Sequence, residues 1–173
     1  MSDFEDDGAD LRATGAHSFD QAKFREVLGH FASGITIVTA MEEGAPVGFT
    51  CQAFTSLSLE PPMIAIAPAK SSTSWPKIAK AGAFCVNILG ADQEAVCRNF
   101  AVSGGEKFVG VGWHPGANGA PVIDGSLATL ECTLGSIHDA GDHELVTGFV
   151  HHMEIGKGSP LLYYRSGFVT LSN

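Results

Sequence analysis

The sequence predicts a single mainly β domain, an antiparallel barrel with small helices packed on it. Three observations carry that reading. Runs of β-branched and aromatic residues outnumber helical patterns, and they arrive as adjacent hairpins instead of alternating with helices. No repeat, low-complexity segment or linker divides the chain. At 173 residues it is long enough to bury a core without disulfide or metal staples.

The elements follow in order. Ser18-Phe19-Asp20-Gln21 has the capping-box pattern, with Ser at the N-cap and Gln three residues on. The helix it opens carries Phe24, Val27, Leu28 and Phe31 at i, i+3, i+4 and i+7, and Gly34 stops it. Residues 35–40 form a β-branched strand, Glu42-Glu43-Gly44-Ala45 makes a hairpin turn, and residues 47–54 return. Residues 48–62 read as one long strand running into an extended turn closed by Pro61-Pro62. A short strand over 63–68, a helix over 73–80, a strand over 83–89 and a helix over 92–100 come next. Residues 101–120 are Gly-rich and aromatic without periodicity, which marks a functional or interface loop. Strands over 126–138, 144–155 and 161–171 complete the chain, the last broken near Ser166-Gly167.

Charge narrows the function. The formal net charge is −9 and no basic run exists, which argues against nucleic acid, since phosphate contacts need clustered Lys and Arg. Part of the acidity sits in Asp3, Glu5, Asp6, Asp7 and Asp10, faced only by Arg12, so residues 1–17 read as a solvated tail and 18–173 as the folded domain. Charged residues are scarce at 17%, leaving uncharged surface that points to self-association. Cys51, Cys85, Cys97 and Cys132 form no C-x-x-C and mostly sit in apolar runs, as buried thiols do. With no secretory signal and no apolar run of membrane-spanning length, the expectation is a reduced cytoplasmic protein without a membrane partner.

Most nucleotide and metal motifs fail on inspection. Gly110-Val-Gly112-Trp-His-Pro-Gly116 has the wrong spacing for a dinucleotide fingerprint and follows no βαβ unit, and neither a P-loop nor a G-x-S-x-G is present. His151 and His152 would diverge as neighbours on a strand, so no metal is expected beside Glu154. His17 belongs to the tail; His30, His114 and His138 have no obvious company and read as surface or capping residues.

Three segments keep a functional reading beside a plain one. Thr50, Thr55, Ser56 and Ser58 interleave with apolar residues, and no acid or base precedes Glu60, which suits holding a flat, partly polar cofactor. Lys70-Ser71-Ser72-Thr73-Ser74-Trp75-Pro76 opens a helix and is either a phosphate seat or ordinary capping by Ser72 or Thr73. In so acidic a chain a phosphate must be held locally. Ala140-Gly141-Asp142-His143 sits at the turn between two long strands; Asp142 is a turn residue, or His143 borders a ligand at the barrel mouth.

These pieces, taken in order, resemble the short-chain flavin reductases, the reductase partners of two-component flavin-dependent monooxygenases. The resemblance runs through S-G-I-T-I-V-T (33–39), G-x-T-x-x-x-F-x-S-x-S-x-x-P-P (48–62), the Ser-rich turn (71–74), F-x-V-N-I-L (84–89), the D-Q-x-x-x-x-x-x-F helix (92–100), G-D-H (141–143) and P-L-L-Y-Y-R (160–165). Thr50-Cys51-Gln52-Ala53-Phe54 with Ser74-Trp75-Pro76 looks most like reductases serving aromatic-ring and sterol-ring hydroxylases. Cys51-Gln52-Ala53 departs from the Ala-Ser-Ser of many members and removes two hydroxyls.

The resemblance implies a homodimeric split β-barrel of the FMN-binding type. FMN or FAD would lie along Thr50, Cys51, Gln52, Ala53 and Ser56. Its phosphate would sit at Lys70, Ser71, Ser72, Ser74 and Trp75, with a contribution from Phe100. NADH or NADPH would approach near Asp142, Tyr164 and Arg165, with His143 as the catalytic residue. Hydride transfer to flavin needs stacking and orientation, not an acid–base pair, so the missing triad is consistent with it. Reduced flavin would pass to a separate oxygenase. The rival reading is a flavin- or haem-holding carrier of the same fold without turnover.

Overall fold

A computed structural model of the chain describes residues 19–171. In chain order the elements are α1 (Gln21–Leu28), β1 (Ser33–Gly34), β2 (Thr36–Glu42), β3 (Ala45–Cys51), β4 (Phe54–Leu59), β5 (Pro62–Ile66), α2 (Trp75–Ala81), β6 (Ala83–Ile88) and α3 (Glu94–Ala101). Then come β7 (Trp113–Pro115), β8 (Pro121–Ile123), β9 (Ala128–Ala140), β10 (His143–Ile155), β11 (Leu162–Tyr164) and β12 (Gly167–Val169). The expected acidic tail and the expected Ser18 cap lie outside the described residues. Asp20 caps α1 instead, its carboxylate accepting from the Ala22 and Lys23 amides. The helix ends at Gly29, a turn earlier than Gly34.

One seven-stranded antiparallel sheet runs β3-β2-β6-β9-β10-β5-β4. Its two edge strands, β3 and β4, are consecutive in the chain, with only Gln52 and Ala53 between them. A flat sheet of seven strands would hold its edges about 29 Å apart. Three peptide links from Cys51 to Phe54 reach at most about 11 Å. The sheet therefore rolls until its edges nearly meet, and Gln52-Ala53 bridges the gap: a barrel split along that line. The single strand expected over 48–62 is thus two strands on opposite edges. Cys51 still pairs with Thr36, whereas Phe54 already pairs with Ile66.

Strand β2 is buried on both faces, which explains its unbroken β-branched run. Val38 and Ala40 join the barrel interior with Phe49, Ile64, Phe84, Val86 and Val146. Ile35 and Ile37 face the other way, under α3, with Leu89, Cys97, Phe100 and Ile123. The β2–β3 turn uses Glu43 and Gly44, both at positive φ (51° and 80°), as a two-residue hairpin requires. Likewise Arg165 and Ser166 (φ 48° and 64°) turn β11 into β12.

The loop expected over 101–120 contains a short strand, β7, paired with β8. Phe108 and Val111 of this loop pack on the core under α3, and buried Glu131 ties its far end: that carboxylate accepts from the Ala117 amide at 3.0 Å and the Asn118 amide at 2.6 Å. All four cysteines are buried free thiols. No helix among the described residues is long and apolar enough to cross a membrane.

Candidate flavin site at the barrel split

The split opens into a cleft of about 970 Å³. Its walls are the β3–β4 crossing (Thr50 to Phe54), the segment after β5 (Ala67, Pro68, Ala69, Ser71, Ser72, Thr73), the end of α3 and the residues after it (Ala101, Val102, Ser103) and the end of α1. His143 stands at the rim. Backbone bonds tie the segment leading into the Ser-rich turn to the β9–β10 hairpin: Lys70 N–H donates to the Asp142 carbonyl at 3.0 Å, and Glu144 N–H donates to the Pro68 carbonyl at 3.0 Å. Those bonds place His143 beside the Ser-rich turn although 70 residues separate them in sequence.

The side chains of the crossing are largely committed within the protein. Thr50 Oγ1 donates to the Cys97 carbonyl at 2.7 Å, and Gln52 Nε2 donates to Ser33 Oγ at 2.8 Å. Cys51 Sγ points to the Ala53 carbonyl at 3.4 Å, and burial pushes its thiol up to about 11. Ladder bonds stop at the break, so the Gln52 amide donates to no acceptor among the described residues, whereas the Ala53 backbone is hydrogen-bonded to the Cys51 thiol.

At the rim, His143 Nδ1 lies 2.7 Å from Asp142 Oδ1. That hydrogen bond, with the attraction of the His143 charge, holds the Asp142 carboxyl below its ordinary value. An ionised Asp142 fixes the ring with Nδ1 as donor and leaves Nε2 for a ligand.

Of the residues expected at the site, Thr50, Cys51, Gln52, Ala53, Ser71, Ser72, Phe100 and His143 line the cleft. The others do not. Ser56 is an exposed β4 residue whose partner is Ile64. Lys70 is ion-paired to Asp139. Ser74 is buried and faces a neighbouring cavity of about 760 Å³. Trp75 is a core residue, edge-on to Phe49, with its indole N–H on Glu144. Tyr164 and Arg165 dock on the end of α1, where Tyr164 meets the His30 ring and the Arg165 amide donates to the Gly29 carbonyl. Tyr163 and Ser166 line the cleft in their place: Tyr163 and Tyr164 point to opposite faces as strand neighbours, and Arg165-Ser166 is the turn. Ser72 Oγ caps the Trp75 amide at 3.1 Å, so ordinary capping accounts for that hydroxyl.

Arg25, Ser33, Ser103 and Lys107 line the cleft without having been singled out in the sequence. The only early sign of Lys107 was its place in an aperiodic Gly-rich loop. Among the histidines, His114 has company after all, 3.0 Å from Asp124, and His30 Nδ1 caps α1 on the Glu26 carbonyl. A bulge between Val150 and His152 interrupts the alternation that separates His151 from His152, and His152 lies 3.4 Å from Glu154.

None of the described residues lining the cleft is Asp or Glu, whereas Arg25 and Lys107 are cationic. In a chain of net charge −9 that is a local reversal of sign, and it suits an anionic ligand with a flat apolar body. Flavin nucleotides have that chemistry.

Comparison with known proteins agrees. Residues 28–172 match the family described as the flavin reductase like domain. The reductase subunit HsaB of a flavin-dependent monooxygenase from Rhodococcus jostii (strain RHA1) is 43% identical over 169 residues, covering 97% of this chain and 85% of that protein. A crystal structure of a nitrilotriacetate monooxygenase component B homologue from Mycobacterium thermoresistibile superposes with a TM-score of 0.87 at 46% identity, over 91% of this chain and 89% of the other. The NADH:FAD oxidoreductase SgcE6 of Streptomyces globisporus C-1027, solved with NAD and FAD fragments, superposes with a TM-score of 0.84 at 32% identity, over 88% of this chain and 93% of the other. The fold is thus shared along nearly the whole chain, which belongs to the flavin reductase like family.

Proposed function

We propose that this protein is an NADH-dependent flavin reductase whose reduced FMN or FAD serves a separate oxygenase. The observation that carries the reading is the sign reversal: an acid-free cleft with two cations in a chain of net charge −9. Membership of the family and the reductase names of its relatives support it. Bound flavin supplies the hydride acceptor. The chain's own part is to hold and orient. The Gln52 amide would meet the ring's polar edge, and Phe54 and Ala67 would offer apolar contact. The Asp142-fixed His143 ring stands where a nicotinamide would dock. No residue is asked to move a proton, which suits hydride transfer between two stacked rings. Cytoplasmic NADH would supply the electrons.

A second copy of the chain completes the assembly in this proposal. The apolar face expected of α1 is present but only partly covered among the described residues: Phe24, Val27, Leu28 and Phe31 are 49%, 56%, 55% and 81% exposed. Arg25, Leu28 and Phe31 also line the cleft, so a partner covering α1 would wall the site.

Steady-state assays crossing FMN and FAD with NADH and NADPH test the function. Turnover is expected with NADH, and His143→Ala should slow it about 10-fold or more by misplacing the nicotinamide. Flavin affinity should stay nearly unchanged. If neither nicotinamide is consumed with either flavin, the proposal fails. Equal loss of turnover and flavin affinity in His143→Ala would favour the carrier.

A further inference from the structure

We propose that the Lys107 ammonium is the phosphate-recognition group of the cleft, holding the phosphate of the bound flavin at the junction of two cavities. The inference rests on the flavin reading above and assigns the residue that reading leaves open.

Lys107 is set apart by where its amine is held and by lining both cavities. Lys23, Lys70, Lys80 and Arg98 each lie against a carboxylate. Lys107 has none among the described residues. Its Nζ donates instead to three neutral oxygens: the Gly48 carbonyl at 3.1 Å, the Phe100 carbonyl at 3.2 Å and Ser74 Oγ at 3.3 Å. Two of these are main-chain groups of β3 and the last turn of α3, so the fold fixes the amine. Burial pulls the amine below its ordinary value of 10.5, the direction expected of a partly desolvated cation without a counter-charge. A half-buried cation so placed is stabilised by an arriving anion, which would take over the donor now on Ser74 Oγ, the longest of the three bonds.

The amine is also reachable from two sides. Lys107 lines both the main cleft and the neighbouring cavity of about 760 Å³, and Thr73 and Ser103 line both with it. A phosphate at this junction keeps the flavin ring in the main cleft while any substituent beyond it extends into the second cavity. That geometry suits FMN and FAD alike. Lys70, the cation adjacent to the Ser-rich turn in sequence, is turned to Asp139 and does not line the cleft.

The test titrates riboflavin, FMN and FAD into the purified full-length protein and its Lys107→Gln, Lys107→Arg and Lys70→Gln variants. Fluorescence reports binding, and the KM for NADH is followed in parallel. Gln keeps donors for the Gly48 and Phe100 carbonyls while removing the charge, so folding and charge are separated. Lys107→Gln should weaken FMN and FAD about 10- to 100-fold, the size of one charge-assisted hydrogen bond, and shift riboflavin by less than about two-fold. Arg should restore most of the loss, and Lys70→Gln should shift FMN less than Lys107→Gln does. Equal weakening of riboflavin and FMN would make Lys107 a scaffold residue and overturn the inference. So would unchanged FMN affinity, or an effect confined to the KM for NADH, which would move the phosphate in question to the nicotinamide. A wild-type protein that binds none of the three flavins would instead sink the flavin reading itself.

Discussion

Trp75 donates its indole N–H to Glu144 across 2.5 Å, and Glu144 is the residue after His143 on β10. The same indole packs edge-on to Phe49, with ring centroids 6.4 Å apart. Helix α2 is therefore strapped to the strand end that presents His143 by a tryptophan that is buried and does not line the cleft.

Trp75→Phe keeps most of the packing and removes the hydrogen bond. Its half-buried acceptor then loses a partner, and unfolding stability should fall by about 1–2 kcal/mol in urea titrations. Turnover with NADH should drop while flavin affinity holds, since the strap reaches the nicotinamide side of the cleft. A variant as stable and as active as wild type would show the bond to be ornamental.

Asp142 gives a pH signature. Its carboxyl is held below its ordinary value of 3.8 by the hydrogen bond from His143. A depressed folded pKa contributes stability that is present above about pH 4 and lost as pH falls through the folded value. Asp142→Asn should thus be less stable than wild type near pH 6, and the gap should close toward pH 2–3. The gap should be small, because Asp142 is exposed and screened. Thermal melts across that range measure it; a gap that widens in acid would contradict the assignment.

Much of this architecture was legible in the residues, and the misses share a physical cause. Periodicity located β2, β6, β9, β10 and all three helices, because alternation and turn chemistry are local. The break at Gln52-Ala53 was invisible: both flanking segments have strand composition, and which sheet edge each joins depends on the closure of the whole barrel. Site residues divide the same way. Ser71, Ser72 and His143 came from motifs that form a continuous stretch of chain. Tyr164 and Arg165 turn toward the end of α1 while Tyr163 and Ser166 line the cleft, because the face of a short strand and the course of the turn after it are decided by register and not composition. Lys107 sits in a loop whose shape depends on Glu131 and α3, which no local pattern encodes.

The thiols should be silent in the folded state. Burial pushes Cys51 up to about 11 and Cys85 and Cys132 up to about 12, while Cys97 is raised by its own burial. Against an ordinary thiol of 9.0, a value near 11 lowers the thiolate fraction about 100-fold. A disulfide-exchange reagent at pH 8 should therefore label native protein slowly and all four cysteines at once in urea. Rapid native labelling of one thiol would mean that its strand opens more readily than its burial implies.

The last expectation concerns α1. A helix with no buried residue cannot repay the entropy of ordering its turns within one chain, since most helical stability in proteins comes from packing an apolar face. Phe19 lies against Phe24, ring centroids 5.2 Å apart, and extends the uncovered patch. A second copy supplies the missing cover and needs about 800 Å² of contact from each partner. Light scattering should give wild type twice the 18.1 kDa chain mass at micromolar concentration. Phe24→Asp with Phe31→Asp should return it to the single-chain mass without loss of the β-sheet signal. Turnover should fall with it, because Arg25, Leu28 and Phe31 line the cleft. A monomeric wild type that reduces flavin at full rate would show that α1 is held by its own chain.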